Sequence, residues 1–242
     1  MMTRPVDLNA DLGEGYGRWS LGDDAGLLDV ITSANIACGY HAGDPATMRR
    51  TCVAAVERGV AIGAQVSYPD LMGFGRRFLD MDPSDLADAV VYQVGALRAM
   101  AAVAGGRVTY VKPHGALYHA VAHHEAQAAA VVDAVRVLGD GLVLLGLPNS
   151  AIEHAAARGG IGFLTEGFAD RGYDADGRLV PRGQPGDLLV DPAAVAEQAV
   201  ALLAWRVDSI CVHSDTPGAA SLAAAARAAL IDAGATLAAA AP

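Results

Sequence analysis

Apolar, β-rich runs recur at residues 6–12, 31–38, 60–67, 108–112, 142–147, 161–165 and 209–213, and a segment of helical apolar spacing follows each. The helix starts are legible because a capping residue stands directly before a proline at Asp44-Pro45, Asp82-Pro83, Asp191-Pro192 and Thr216-Pro217. Proline at the first helical position gives up no hydrogen bond, since that N–H has no partner within the helix. Ala-rich amphipathic stretches follow over 46–57, 84–104, 193–205 and 218–232.

Strict alternation of strands and helices, with strands that read as apolar on both faces, predicts a parallel sheet covered by helices. Seven repeats predict a distorted TIM-like α/β barrel of seven strands, in one domain over residues 1–242. An open doubly wound sheet has the same order of elements and is the alternative. The helix-to-strand links at 58–59, 105–106, 139–140 and 158–160 are minimal, whereas 69–82 and 167–186 are long and rich in Gly, Asp and Arg. Long polar loops after strands place the working face at the strands' C-terminal ends.

The 242 residues are 53% hydrophobic and 18% charged, which fits a chain with a large core. With 17 basic against 27 acidic residues the net charge is −10, a field that repels nucleic acid and anionic membranes. The first fifteen residues hold no signal-peptide core, and no run reaches the roughly 18 apolar residues of a membrane span. The last helix comes closest, interrupted by Arg227 and Asp232. Cys38, Cys52 and Cys211 form no CxxC pair, so neither a disulfide framework nor a zinc knuckle is expected, and a cytoplasmic location fits. Lys112 is the one Lys among the 17 basic residues. A site that needs a compact ammonium would resist an otherwise complete drift to Arg.

Reactive side chains gather at the predicted strand ends: Asn9, Asp11 and Glu14; His41; Gln65 and Ser67; Lys112 and His114; Glu166, Asp170 and Arg171; His213, Ser214 and Asp215. Burying so many ionisable groups without a use for them would carry a large desolvation cost. Asp44 reads as a helix cap, and Asp215 has the same alternative. His119, His123, His124 and His154 fall on the outside and read as solvated. Lys112 would stabilise an oxyanion or phosphate, with pairing to Asp11 or Glu166 as the second choice. Asp11, His41 and His114 are a possible set for a divalent metal, if any is bound. The run Gly13-Glu14-Gly15-Tyr16-Gly17 lacks GxGxxG spacing, and no GxxxxGK[ST], HExxH or GxSxG occurs.

Specific blocks carry a resemblance. Val6-Asp7-Leu8-Asn9-Ala10-Asp11-Leu12-Gly13-Glu14 and Ser33-Ala34-Asn35-Ile36-Ala37-Cys38-Gly39-Tyr40-His41-Ala42-Gly43-Asp44-Pro45 resemble the LamB/YcsF family. So do Gly63-Ala64-Gln65-Val66-Ser67-Tyr68-Pro69-Asp70, Gly73-Phe74-Gly75-Arg76-Arg77, Val111-Lys112-Pro113-His114-Gly115-Ala116-Leu117-Tyr118, Glu166-Gly167-Phe168-Ala169-Asp170-Arg171-Gly172-Tyr173 and Val212-His213-Ser214-Asp215. The resemblance implies a barrel of the glycoside hydrolase/deacetylase type. It also implies ATP-dependent opening of 5-oxoproline to L-glutamate together with B and C subunits, which would bind the ATP. On that expectation Asp11 or Glu166 activates water, His41 or His114 protonates the leaving nitrogen, and Lys112 stabilises charge. Arg76, Arg77, Arg171 or Arg182 would grip the substrate carboxylate, with Asn9, Gln65, Asp170, His213 and Asp215 completing the substrate contacts. The rival expectations are a metal-dependent, ATP-independent deacetylase-like hydrolase and a non-catalytic lactam-binding protein.

Overall fold

The computed structural model describes residues 5–241, so Met1–Arg4, part of the stretch read for a leader, lie outside the described residues. Seven parallel strands, β1 (Asp7–Leu12), β2 (Ser33–Ala37), β3 (Ala61–Val66), β4 (Val108–Pro113), β5 (Val143–Gly146), β6 (Phe163–Phe168) and β7 (Ser209–Val212), close in sequence order into a barrel. The seam joins β7 back to β1, with Asp7 opposite Ser209 and Asn9 opposite Cys211. Closure excludes the open sheet.

The helices are α1 (Asp24–Leu28), α2 (Pro45–Glu57), α3 (Pro83–Val103), α4 (Gly115–His123), α5 (Glu125–Leu138), α6 (Ala151–Gly159), α7 (Pro192–Ala204) and α8 (Ala219–Asp232). Asp44, Asp82 and Asp191 cap α2, α3 and α7, each accepting from a backbone N–H of the first turn with Pro at its start. The fourth expected cap fails: α8 begins at Ala219 behind a left-handed Gly218, and the Thr216 hydroxyl instead donates to Asp170 Oδ2 at 2.7 Å. A strong hydrogen bond to a buried carboxylate takes the side chain away from the helix. Of the helices, α3 rather than the last one is long and apolar enough to cross a membrane by length and composition. Its buried residues Leu86, Val90, Val94 and Leu97 belong to the main core, and it packs on β3, β4 and α5, which accounts for its apolarity.

The strands are not apolar on both faces, contrary to the expectation from sequence. Side chains alternate across a strand, and in β1 Leu8, Ala10 and Leu12 join the core beneath the helices while Asp7, Asn9 and Asp11 turn into the barrel. Ser33 and Asn35 of β2, Gln65 of β3, Lys112 of β4, Glu166 of β6 and Ser209 and Cys211 of β7 meet them there. The barrel interior is therefore a polar network inside an apolar sleeve. Gly63 makes room for it: a Cβ there would lie 2.1 Å from the Tyr110 ring, whose hydroxyl donates to Asn35 Oδ1 at 2.7 Å. At the N-terminal end the Asp7 carboxylate accepts from Thr32 at 2.5 Å, from Ser33 at 2.7 Å and from Ser209. Burial raises its pKa in spite of these three donors.

Candidate active site

Lys112 stands at the centre of the barrel's C-terminal half. Its ammonium donates to Glu166 Oε1 at 2.6 Å and to Asn9 Oδ1 at 3.2 Å, and lies 3.3 Å from Cys211 Sγ and 3.6 Å from Asp11 Oδ1. Burial opposes its charge, yet its pKa is raised well above the ordinary lysine value. Burial also pushes the Cys211 thiol well up, so the thiol stays neutral and the carboxylates of Glu166 and Asp11 are what hold the ammonium. The pairing that ranks second from sequence is thus the one observed, and Lys112 is not free to face an oxyanion.

From sequence, Glu166 is expected in the loop after a strand ending at residue 165, but β6 continues to Phe168 and turns Glu166 into the barrel. Both its oxygens are engaged, Oε1 by Lys112 and by Asn9 Nδ2 at 2.9 Å, Oε2 by the Tyr118 hydroxyl at 2.8 Å. A carboxylate so saturated is a poor acceptor for a water proton. Asp11 retains an oxygen without a hydrogen bond among the described residues, since only Oδ1 accepts, from Asn35 Nδ2 at 2.9 Å. Burial would raise its pKa, but the Lys112 ammonium close by and the hydrogen bond from Asn35 outweigh burial and hold it ionised, well below the carboxylate range.

A second cluster sits beside this one. The Gln65 amide donates to Glu14 Oε1 and to His114 Nδ1, both at 3.0 Å, and accepts from His41 Nε2 at 3.2 Å. His114 Nε2 donates to the Phe74 carbonyl at 3.0 Å, which fixes the tautomer in which Nδ1 accepts. Burial and the neighbouring His41 keep this ring neutral, with a pKa well below the usual imidazole value. With both nitrogens engaged, His114 has no proton poised for a leaving group. His41 Nδ1 is buried with no partner among the described residues.

The expected metal set does not form. Asp11 turns toward Lys112 and Asn35, and its place is taken by Glu14, whose oxygen lies within 4.8 Å of one nitrogen of each of His41 and His114. Two imidazoles that share an ion must both contain it in their ring planes, because the nitrogen lone pairs lie in plane. Here the two rings stack at 3.9 Å with planes only 11° apart, and the Gln65 amide already bridges their nitrogens. The donors are close, but they are not aimed at a common point.

The third group carries more than the substrate contacts expected of it. His213 Nδ1 lies 3.0 Å from Asp170 Oδ1, and the Asp170 carboxylate also accepts from the His213 backbone N–H at 3.1 Å and from Thr216. Burial would raise the Asp170 pKa, and the hydrogen bonds from the His213 ring, the Thr216 hydroxyl and the His213 backbone N–H outweigh it to keep the carboxylate ionised. The His213 ring stacks on Phe168 at 5.1 Å, and its Nε2 makes no hydrogen bond among the described residues. An imidazole whose Nδ1–H is tied to a buried carboxylate presents Nε2 as a base. The signal for this pair in the sequence is weak, because 43 residues separate its members.

The four arginines divide. Arg171 is buried and donates to the carbonyls of Asp187 at 2.8 Å and Val180 at 2.6 Å, so it shapes the 169–191 loop. Arg77 bonds the buried Asp70 carboxylate and anchors the loop after β3. Arg182 is exposed on the loop after β6. Arg76 crosses to Asp215 at 2.5 Å. His119, His123, His124 and His154 are exposed as expected, and His124 caps α5.

The pattern of the LamB/YcsF family matches residues 6–242. The chain belongs to the LamB/YcsF family. A LamB/YcsF relative from Streptomyces avermitilis, named as the A subunit of 5-oxoprolinase, is 56% identical over 90% of this chain and 92% of its own length. The crystal structure of a lactam utilization protein from Thermus thermophilus superposes with a TM-score of 0.92 at 37% identity, covering 97% of this chain and 99% of that one. A polysaccharide deacetylase from Bacillus cereus shares the LamB/YcsF barrel at a TM-score of 0.53 and 11% identity over 98% of this chain and 92% of its own, a likeness of fold alone.

One carboxyl beside the site gives the family member a pH-dependent stability. Asp24 Oδ2 accepts from Gly13 N at 3.0 Å, its Oδ1 is buried with no partner, and burial with Glu14 and Asp23 nearby raises its pKa from the ordinary 3.8 to about 6. The folded protein then holds this proton more tightly than the unfolded chain. The stabilisation is complete below pH 4 and is lost as pH rises through about 6. Because the side chain is part-exposed, about 1–2 kcal/mol is involved. Urea unfolding of Asp24→Asn at pH 4 and pH 8 is expected to show a gain of that size at pH 8 and little at pH 4; equal shifts at both pH values would refute the assignment.

Proposed function

We propose that this chain is the A component of a 5-oxoprolinase, opening the lactam ring of 5-oxo-L-proline to give L-glutamate. Its likeness over nearly the whole length to a protein of that name supports the substrate class, and the Asp170–His213 pair supports the chemistry. An amide carbonyl is a poor electrophile, and phosphorylating its oxygen makes the ring carbon open to water. The chain holds no Walker-type nucleotide motif. In this reading ATP is therefore bound and used by B and C subunits, and the phosphorylated lactam is passed here.

His213 Nε2 takes a proton from the attacking water, Asp170 holding the imidazole in the right tautomer, and the ring then hands that proton to the nitrogen as the C–N bond breaks, while the hydroxyl left on the carbon gives its own proton to solvent as the C=O forms. The acyl phosphate left behind takes up a second water and yields glutamate and phosphate. Asp11, held ionised, orients the water through its free oxygen. The Lys112–Glu166–Asn9–Tyr118 network fixes the floor on which Asp11 stands, a supporting part in place of the direct roles expected of Lys112 and Glu166.

Glutamate release from 5-oxo-L-proline, measured with and without ATP for this chain alone and with B and C subunits, tests the reading. Activity is expected only in the complete mixture with ATP. Chelator-sensitive activity of the isolated chain without ATP would overturn it in favour of a metal-dependent hydrolase.

A further inference from the structure

The Arg76–Asp215 ion pair joins loops from opposite sides of the barrel. Arg76 follows β3 and Asp215 follows β7, and three interstrand steps separate those strands through β2 and β1. No other pair of strands in a seven-stranded ring lies farther apart. The two side chains thus span the mouth.

The frame beneath Arg76 is fixed. Phe74 has a left-handed φ of 54° and Gly75 one of 66°, a pair of conformations that only a held turn maintains. Arg77 on Asp70 anchors the turn, and the Gly75 carbonyl accepts from Ala116 N at 2.9 Å. A Cβ on Gly75 would lie 2.2 Å from Ser67 Oγ, so the loop is pressed against the barrel. The Phe74 ring stands edge-on to His41 and His114 at 5.4 and 5.3 Å and carries the Arg76 guanidinium 5.2 Å from its centroid. What remains movable is the pair itself, whose side chains are 38% and 29% exposed.

Of the four arginines, Arg77 and Arg171 are committed to structural acceptors, and Arg76 alone is held at the mouth by a part-exposed carboxylate. We propose that Asp215 is a place-holder for a ligand carboxylate: an incoming lactam acid displaces it from Arg76, and Asp215 reclaims the guanidinium as product leaves. Arg76 thereby selects carboxylate-bearing lactams over neutral ones in a protein whose net charge of −10 otherwise repels anions. The choice of lactam acid rests on the proposed function; the displacement does not.

Calorimetric titration of the full chain with 5-oxo-L-proline and with 2-pyrrolidinone, which lacks the carboxylate, tests this. Asp215→Asn is expected to tighten 5-oxo-L-proline binding about two- to fivefold, the size of an exposed ion pair, and to leave 2-pyrrolidinone unchanged. Arg76→Gln is expected to weaken the acid about ten- to a hundredfold and the neutral lactam not at all. Weaker or unaltered binding of the acid to Asp215→Asn overturns the proposal. If neither lactam binds any variant, the lactam reading is decided by the glutamate-release assay of the complete mixture, and the displacement is read from the Arg76 Nε resonance during an acetate titration. That resonance is expected to respond at lower acetate in Asp215→Asn than in the parent protein; identical responses overturn the proposal.

Discussion

His213→Gln is expected to lower glutamate formation by the assembled, ATP-supplied enzyme about a hundred- to ten-thousandfold, the usual contribution of a positioned general base. Glutamine is close in size to histidine and can keep a hydrogen bond to Asp170, but it offers no basic nitrogen. Unfolding by urea is therefore expected to change little. Asp170→Asn adds a discriminating readout. An amide can donate to Nδ1, which would leave the proton on Nε2, the atom that must be bare to accept one. Turnover is expected to drop with little change in KM. If His213→Gln keeps turnover within threefold of the parent, the base lies elsewhere and Asp11 becomes the candidate.

Lys112→Met is expected to have the largest effect on stability, about 3–5 kcal/mol, because it strands buried charge. Glu166 and Asp11 are both buried around the ammonium, and removing it leaves two carboxylates facing each other across the network. A lysine facing an oxyanion would give a folded but slow variant on this substitution; a closed ion network gives a destabilised one. Lys112→Met combined with Glu166→Gln is expected to recover a good part of the loss, since the paired carboxylate goes with its partner. Denaturant titration of the two variants checks this. A single variant as stable as the parent would mean that the network is not ionised.

The closed seven-stranded barrel and its working end are legible from the recurrence of strands and from the contrast between short and long links. Proline behind Asp at three helix starts marks boundaries to within a residue. The inward face of the strands is what escapes. Residues 6–12 alternate Val, Asp, Leu, Asn, Ala, Asp, Leu, a period of two that spells a strand with one polar face. Taken as a run of mixed polarity at a strand end, it conceals how deep Asp7, Asn9 and Asp11 lie. Ser209, Cys211 and Tyr118 escape for the same reason, since small or aromatic residues within a strand or helix look like packing until the side chains opposite them are known. That these side chains gather at one end of the barrel is foreseeable, but their pairings are not. Whether Glu166 faces water or Lys112 depends on where β6 ends, and Asp170 meets His213 only through the barrel's register.

The seam between β1 and β7 sets the order in which this molecule can be made. Asp7 and Ser209 are hydrogen-bonded across 202 residues of chain, so the first strand cannot find its second neighbour until nearly the whole polypeptide has left the ribosome. Until then β1 and β6 are open edges, able to pair with another unfinished copy, and the buried carboxyl of Asp7 lacks one of its three hydroxyl donors. Folding should accordingly be slow for a protein of this size, with yield falling as synthesis outpaces the chaperones that guard those edges.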